Sequence, residues 1–564
     1  MTRVPHFRKR IVSKLVALVG VGALLTSACT APATPAATSA APAASAAAAP
    51  AAAATAAAAA KPNLSNKFTL AVMHDAQNID PAVGTDLPAR LVDVNLYESL
   101  IRYEGKPPVA KPNMAESITA SADAKVYTVK LRPNLKFHDE SDVDAAAVAF
   151  SMDRLLKMNK GGAAPFLQVL GVGDTKAIDK LTVQFNLKTA SAVFPGTLSF
   201  FFIVNPKVVN ANKTATGAYG ADGDFAEKYL QTNDAGSGPY RLKSRTPNAD
   251  LQFEAHASYW RGWKANQYGL FTYRIVAEPA TVQLLMRQGE VDGAYETYPV
   301  DMFNSLASAT NVTVNTSVGV TPLYLFMNNK QKPLDNVKVR QAIAYAFDYD
   351  QAVKNILPGS QRMVGPLPAG MWTAASSGGY VQNLDKAKAL LAEAGIKPGT
   401  VQLEFASLGG PANFRTKLAL LLQDNLSKVG IELKITENAW ADILSQVTKP
   451  ETTRSLMGLS LAADYADPDA LLYQGWHSKG NGSWSGAMWY SNPKLDTLID
   501  QGRTVSDVEK RLGIYQEAQK ILIEDSPGIF LANIPVRVAL NKSVGGYDFV
   551  VSYYNYSVFG LSKN

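Results

Sequence analysis

One low-complexity tract limits what the rest of this chain can become. Residues 30–62 are nearly all Ala, Pro, Thr and Ser, and nothing in them can bury a core. The Ala runs favour helix, but Pro32, Pro35, Pro42 and Pro50 break them. The tract reads as a tether, which confines folding to about residues 63–564, room for two or three domains. Fully extended, ~33 residues at ~3.1–3.5 Å each reach on the order of 100 Å.

Ahead of the tether stand Arg3, Arg8, Lys9, Arg10 and Lys14, with no acidic residue among them, and then an uncharged apolar run over 15–25. Thr26-Ser27-Ala28-Cys29 follows. A basic start, a short apolar run and small residues before a cleavage point make a secretory signal over 1–28. The run is about a dozen residues where a spanning helix needs ~20, so a membrane anchor helix is the poorer reading. Cys29 is the only cysteine in 564 residues. An exported chain with one cysteine cannot close an internal disulfide, which leaves the thiol for another use. Small residues ending in a cysteine resemble the lipobox of bacterial lipoproteins, although Thr26 stands where Leu is usual, with Leu25 just upstream. That resemblance implies a lipid on Cys29, cleavage before it, and a lipidated tether over 29–62 on the outer face of the membrane. Several acyl chains on one residue anchor stably, where a single chain binds marginally.

Net charge excludes one class of partner. Removing the five leader cations from +7 leaves +2. No block of like charge and no basic stripe interleaved with aromatics remains, so no nucleic-acid partner is expected. The pattern is mixed α and β. Tyr127-Thr128-Val129-Lys130-Leu131 and residues 181–187 alternate as half-buried strands do. Helical spacing marks 337–353, 385–394 before Gly395, and 414–429 before Gly430, the last followed by strand-like 431–435. Helix, glycine, strand in succession implies an α/β domain in the C-terminal half.

A search for catalysis finds little. His6, His74, His138, His256 and His477 are scattered, without paired-ligand spacing, so no metal and no cofactor is implied. His138 beside Asp139 and Glu140 reads as a solvated turn. Gly458-Leu459-Ser460-Leu461-Ala462 reads as a buried strand rather than a nucleophile elbow. Ser491-Asn492-Pro493-Lys494 reads as a capped helix start. The chain is expected not to be an enzyme.

A series of motifs then becomes recognisable. Asn78-Ile79-Asp80-Pro81, Tyr97-Glu98-Ser99-Leu100, Lys136-Phe137-His138-Asp139, Arg154, Gly236-Ser237-Gly238-Pro239-Tyr240, Tyr259-Trp260 and Gly289-Glu290-Val291-Asp292 come in order. Met327-Asn328-Asn329, Val339-Arg340, Asp464-Tyr465-Ala466-Asp467-Pro468-Asp469 and Tyr515-Gln516-Glu517-Ala518 continue it. Together they resemble the family 5 extracytoplasmic solute-binding proteins, the dipeptide-, oligopeptide- and nickel-binding subunits of ABC importers, across nearly all of 70–535. Glu140-Ser141 departs from the family's Gly-Thr.

The resemblance implies a periplasmic-binding-protein-like α/β fold, two lobes joined by a two-strand hinge, with an extra inserted domain. Domain I would comprise 63–100, 189–318 and 531–564, domain II 101–188, and domain III 319–530. The hinge strands would cross near 324–328 and 530–533. Asp464 stands where peptide-binding members place the counter-charge of the ligand ammonium, against the plainer role of a cap or local hydrogen bond. Trp440 stands on the segment that carries a pocket-lining Trp, against ordinary core packing. Tyr324 and Trp372 are further candidates for the cleft wall, and Trp476, Trp484 and Trp489 could stack on cargo. Near Trp440 only Lys449 is cationic, so a carboxylate-gripping residue is not evident.

The expected role is a monomeric, lipid-anchored capture subunit that hands a peptide or similar small solute to ABC permease and ATPase subunits. A sensor feeding a chemoreceptor or kinase is the alternative, and an extracellular hydrolase a weaker one. The anchor is open to test: Cys29→Ser should move the chain from the membrane fraction to the soluble extracytoplasmic fraction. Retention in the membrane after signal removal would show that Cys29 is not what holds it.

Overall fold

The computed structural model of the chain describes residues 64–105, 108–295, 298–408, 413–549 and 556–564. The leader, Cys29 and the tether lie outside these residues. Ala60–Asn564 is one unit, and its architecture is mixed α and β, as the periodicities imply.

Three sheets organise it. A seven-stranded sheet runs in the order Val312–Ser317, Val536–Asn541, Gly293–Ala294, Lys67–Val72, Leu270–Ile275, Asp250–Ala255, Tyr240–Thr246. A six-stranded sheet runs Gln361–Arg362, Gly528–Asn533, Pro322–Met327, Leu456–Ser460, Val401–Leu408, Ile431–Asn438. A four-stranded antiparallel sheet of Ala115–Ala120, Val126–Leu131, Thr182–Asn186 and Thr175–Ala177 stands apart. The chain leaves the seven-stranded sheet after Ser317, enters the six-stranded sheet at Pro322, and returns between Asn533 and Val536. These two short crossovers are hydrogen-bonded to each other. Ile534 N–H donates to Thr321 O at 3.1 Å. The Asn533 amide donates to Gly319 O at 2.8 Å and accepts from Thr321 N–H at 3.3 Å.

Local chemistry sets the helix ends. The helix Pro493–Thr504 starts with Asn492 accepting from Lys494 and Leu495 N–H and Pro493 in its first turn, the capped start that the sequence signals. The helix Leu384–Glu393 is followed by Gly395 at φ 74°, in the left-handed region. The 337–353 pattern does not stay one helix. Val337–Ala346 ends, and the Asp348 carboxylate caps a new turn by accepting from Gln351 N–H at 2.9 Å. A competing side-chain acceptor outweighs the apolar spacing there.

His138 is not solvated. Its side chain is 8% exposed, with Nδ1 2.7 Å from Asp234 Oδ1 and Nε2 3.1 Å from Gly238 O. The His256 ring lies edge-on at 5.0 Å, so two histidines far apart in sequence meet. Even so, no three metal-ligating side chains converge among the described residues.

The Asp80 and Arg154 motifs, far apart in the chain, are one buried unit. Arg154 Nη1 and Nη2 donate to the two Asp80 oxygens at 2.8 and 2.5 Å, with the side chains 1% and 0% exposed. Nη2 also donates to Phe225 O at 3.0 Å. Breaking such a pair strands the other charge in a dry site at a cost of about 3–5 kcal/mol. Urea unfolding of Arg154→Leu should register a loss of that order, with Asp80→Asn added to it recovering part. A loss under about 1 kcal/mol would mean the pair is not holding this region.

Candidate functional site

The functional geometry is set by three parallel strands of the six-stranded sheet. Val401–Leu408 pairs in parallel with Ile431–Asn438 and with Leu456–Ser460, so all three end at one edge. Ligands in α/β sheets gather at the carboxyl ends of such strands. Here the segments after them carry Arg415, Trp440 and Asp464 respectively. Pro322 and Asn533 reach the same edge, because Leu323 pairs antiparallel with Ser460 and Pro322 with Asn533. The ladder continues past it: Leu461 N–H donates to Pro322 O at 3.0 Å and Ala463 N–H to Val320 O at 3.3 Å. The backbone leading to Asp464 is thus bonded to a crossover.

A cavity of about 780 Å³ opens at this edge. One wall comes from within the 322–533 excursion: Asp464, Tyr465, Asp469, Tyr473, Trp484 and Arg503. The other comes from outside it, with Arg90, Gly161, Gln168 and Phe200. Asp464, half-buried, also lines an adjoining cavity of about 110 Å³ with Glu98, Asn113 and Tyr259. Glu98 is buried and takes hydrogen bonds from the Tyr259 hydroxyl and the Asn113 amide. Burial pushes its pKa up against those two bonds.

Ion pairs hold the Asp464 wall. Asp467 caps the helix Pro468–Trp476 by accepting from Asp469 N–H at 3.0 Å. Arg511 Nη2 also bonds both Asp467 oxygens at 2.7 and 2.9 Å. Asp469 is fully buried, accepts from the Tyr465 hydroxyl at 2.5 Å, and lies 3.2 Å from Arg503 Nε. Burial pushes the Asp469 pKa up to about 6 against the pull of Arg503. The Arg503 guanidinium lies over the Tyr473 ring at 3.7 Å.

The candidate residues separate on this geometry. Asp464 faces the cavities. Trp440 is 44% exposed, with its ring 5.9 Å from that of Trp484 and at the rim rather than in the core. Tyr324 does not line the cleft. It is fully buried on a strand covered on both faces, its hydroxyl donates to Pro366 O, and its ring packs 5.2 Å from Trp476, itself core. Trp372 packs against Tyr515 at 6.2 Å with Arg511 5.4 Å over it, and lines neither cavity. Trp489 donates its indole N–H to Thr453 at 2.9 Å.

Arg503 and Lys479 are cationic lining residues that lie far from Trp440 in the sequence. The one local signal for Arg503 is its place in the last turn of the helix Pro493–Thr504, which does not reveal that it meets Asp469. A concave space holding a carboxylate, cations and aromatic rings suits a zwitterionic organic solute.

Comparison with known proteins identifies the family. Residues 109–483 match the family model described as bacterial extracellular solute-binding proteins, family 5 Middle. The probable D,D-dipeptide-binding periplasmic protein DdpA of Escherichia coli (strain K12) is 32% identical over 484 residues, 84% of this chain and 90% of that one. The dipeptide-binding protein of the same organism is 28% identical, covering 80% and 86%. The structure of the ABC transporter-associated periplasmic binding protein DppA from Helicobacter pylori, in complex with peptide STSA, superimposes with a TM-score of 0.74. It is 24% identical and covers 89% of this chain and 98% of that one.

Proposed function

Taking as premise that the chain belongs to the family 5 bacterial extracellular solute-binding proteins, we propose that it captures short peptides for an ABC importer, held to the membrane by a lipid on Cys29. As a solute-binding protein it is not an enzyme. Cargo enters between the lobes, the lobes close, and the closed form is delivered to the permease. No helix among the described residues is long and apolar enough to cross a membrane, so contact with the bilayer would run through the lipid and the tether. The protein would act as a monomer.

A three-domain division supports the hinge. The seven strands of one sheet fall within 63–100, 189–318 and 531–564, and the four-stranded sheet falls within 101–188. The six-stranded sheet falls within 319–530, save that Gly528–Asn533 runs past its end.

The observation that carries the peptide reading is Asp464. It lines both cavities where the two walls meet, and it matches the position at which the family's peptide binders hold an ammonium. A charge-assisted bond there contributes ~1.5–3 kcal/mol, and losing one partner of a buried pair costs ~3–5 kcal/mol. Asp464→Asn should therefore weaken binding of a peptide with a free amino terminus by about two to three orders of magnitude. N-acetylation of the peptide should do similar damage to the wild type and little more to the variant. Calorimetry on this four-way cycle reads the coupling directly, and additive losses would make Asp464 structural.

A further inference from the structure

The two walls of the main cavity also touch each other. Ala192 N–H, from outside the 322–533 excursion, donates to Arg503 O at 2.7 Å. The Phe200 and Tyr465 rings, one from each wall, stack 6.2 Å apart at 16°. The Tyr103 hydroxyl, on the strand Ile101–Glu104, hydrogen-bonds the Ala466 backbone. Direct contacts of this kind last only while the walls are together. Whatever fixes the shape of one wall at these points sets how well it can meet the other.

On the Asp464 wall, one carboxylate fixes both Tyr465 and Arg503. Asp469 is fully buried in the first turn of the helix Pro468–Trp476. Its Oδ2 accepts from the Tyr465 hydroxyl at 2.5 Å, and its Oδ1 lies 3.2 Å from Arg503 Nε. Tyr473 is four residues on, so it shares a helix face with Asp469, and the Arg503 guanidinium lies over its ring at 3.7 Å. Arg503 is thus gripped between the two. It also stands one residue from the end of the helix Pro493–Thr504, where a carbonyl has no partner inside its own helix. That carbonyl is the one that takes the Ala192 N–H. Asp469 therefore holds the ring that stacks on Phe200 and the helix end that bonds Ala192. A charge-assisted bond does this about twice as firmly as a neutral one.

We propose that Asp469 is a positioning residue for closure, acting through Tyr465 and Arg503 by setting them where the opposing wall engages them. The proposal deepens the capture reading and rests on it.

The test is double electron–electron resonance on the full mature chain carrying Cys29→Ser, so that spin labels go only to introduced cysteines. Leu167→Cys and Leu444→Cys place the labels at exposed positions, one outside the 322–533 excursion and one within it. Distances are read without ligand and with a fixed mixture of synthetic di- and tripeptides bearing free amino termini. Asp469→Asn should lower the closed-to-open ratio by about 10-fold relative to the labelled parent, with secondary structure unchanged. Tyr465→Phe keeps the ring but loses the hydroxyl, and should lower the ratio by part of that. The two together should do no more than Asp469→Asn alone, because the hydroxyl acts through the carboxylate. A ratio untouched by Asp469→Asn, or losses that simply add, makes the residue structural only and overturns the proposal. If Asp469→Asn does not fold, Tyr465→Phe decides alone, and a parental ratio overturns the proposal. If the peptides leave the parent's ratio unchanged while Asp469→Asn still lowers it, the peptide reading falls and the positioning role stands. A parent with one fixed distance throughout would end both closure and the role of Asp469.

Discussion

The structure depends on a short ladder of backbone hydrogen bonds where the two halves of the molecule meet. Only residues 318–321 and 534–535 join the six-stranded sheet to the seven-stranded one. They are tied to each other through Ile534 and the Asn533 side chain, and to the Asp464 segment through Leu461 and Ala463. A buried asparagine that both donates and accepts fixes these crossovers without bringing in a charge. With so few covalent links between the halves, the proposed opening and closing would cost a few dihedral changes rather than broken sheet. With the ladder running on to Ala463, the same motion would carry the Asp464 backbone. The crossovers and the proposed cargo site lie at two ends of one strand edge.

Buried ion pairs stiffen the two walls. Asp467–Arg511 and Asp469–Arg503 fasten the loop and helix that follow Asp464 to the last two long helices. Asp80–Arg154 fastens the opposing wall, near the Gly161–Gln168 turn. Such pairs are weak evidence for stability, because desolvation offsets much of the attraction. Their use here is positional. Each joins elements far apart in the chain at fixed bidentate or stacked geometry, which leaves the cavity lining little room to relax.

Much of the fold could be read from periodicity and end signals, since those are local. The strands at Val126–Leu131 and Ile431–Asn438, the capped start at Asn492 and the glycine after Leu384–Glu393 all follow from nearest neighbours. Asp464 stands out as a candidate because its motif is contiguous. Arg503 and the His138–His256 pair do not, because each depends on a contact between segments tens of residues or more apart. Tyr324 and Trp372 were misread for a different reason. An aromatic on an apolar strand or loop looks the same whether it faces a cleft or a second layer of core, and only the packing of Trp476 and Tyr515 against them decides.

A ligand that touches both walls favours the state in which they meet, by its difference in affinity for the two states. Small-angle X-ray scattering measures that directly. The cargo retained through native purification is identified by mass spectrometry, removed by reversible unfolding, and added back to the stripped protein. The account predicts that the radius of gyration falls as the cargo saturates the site, with the secondary structure unchanged. A scattering curve that stays the same at saturation would contradict capture by closure between the lobes.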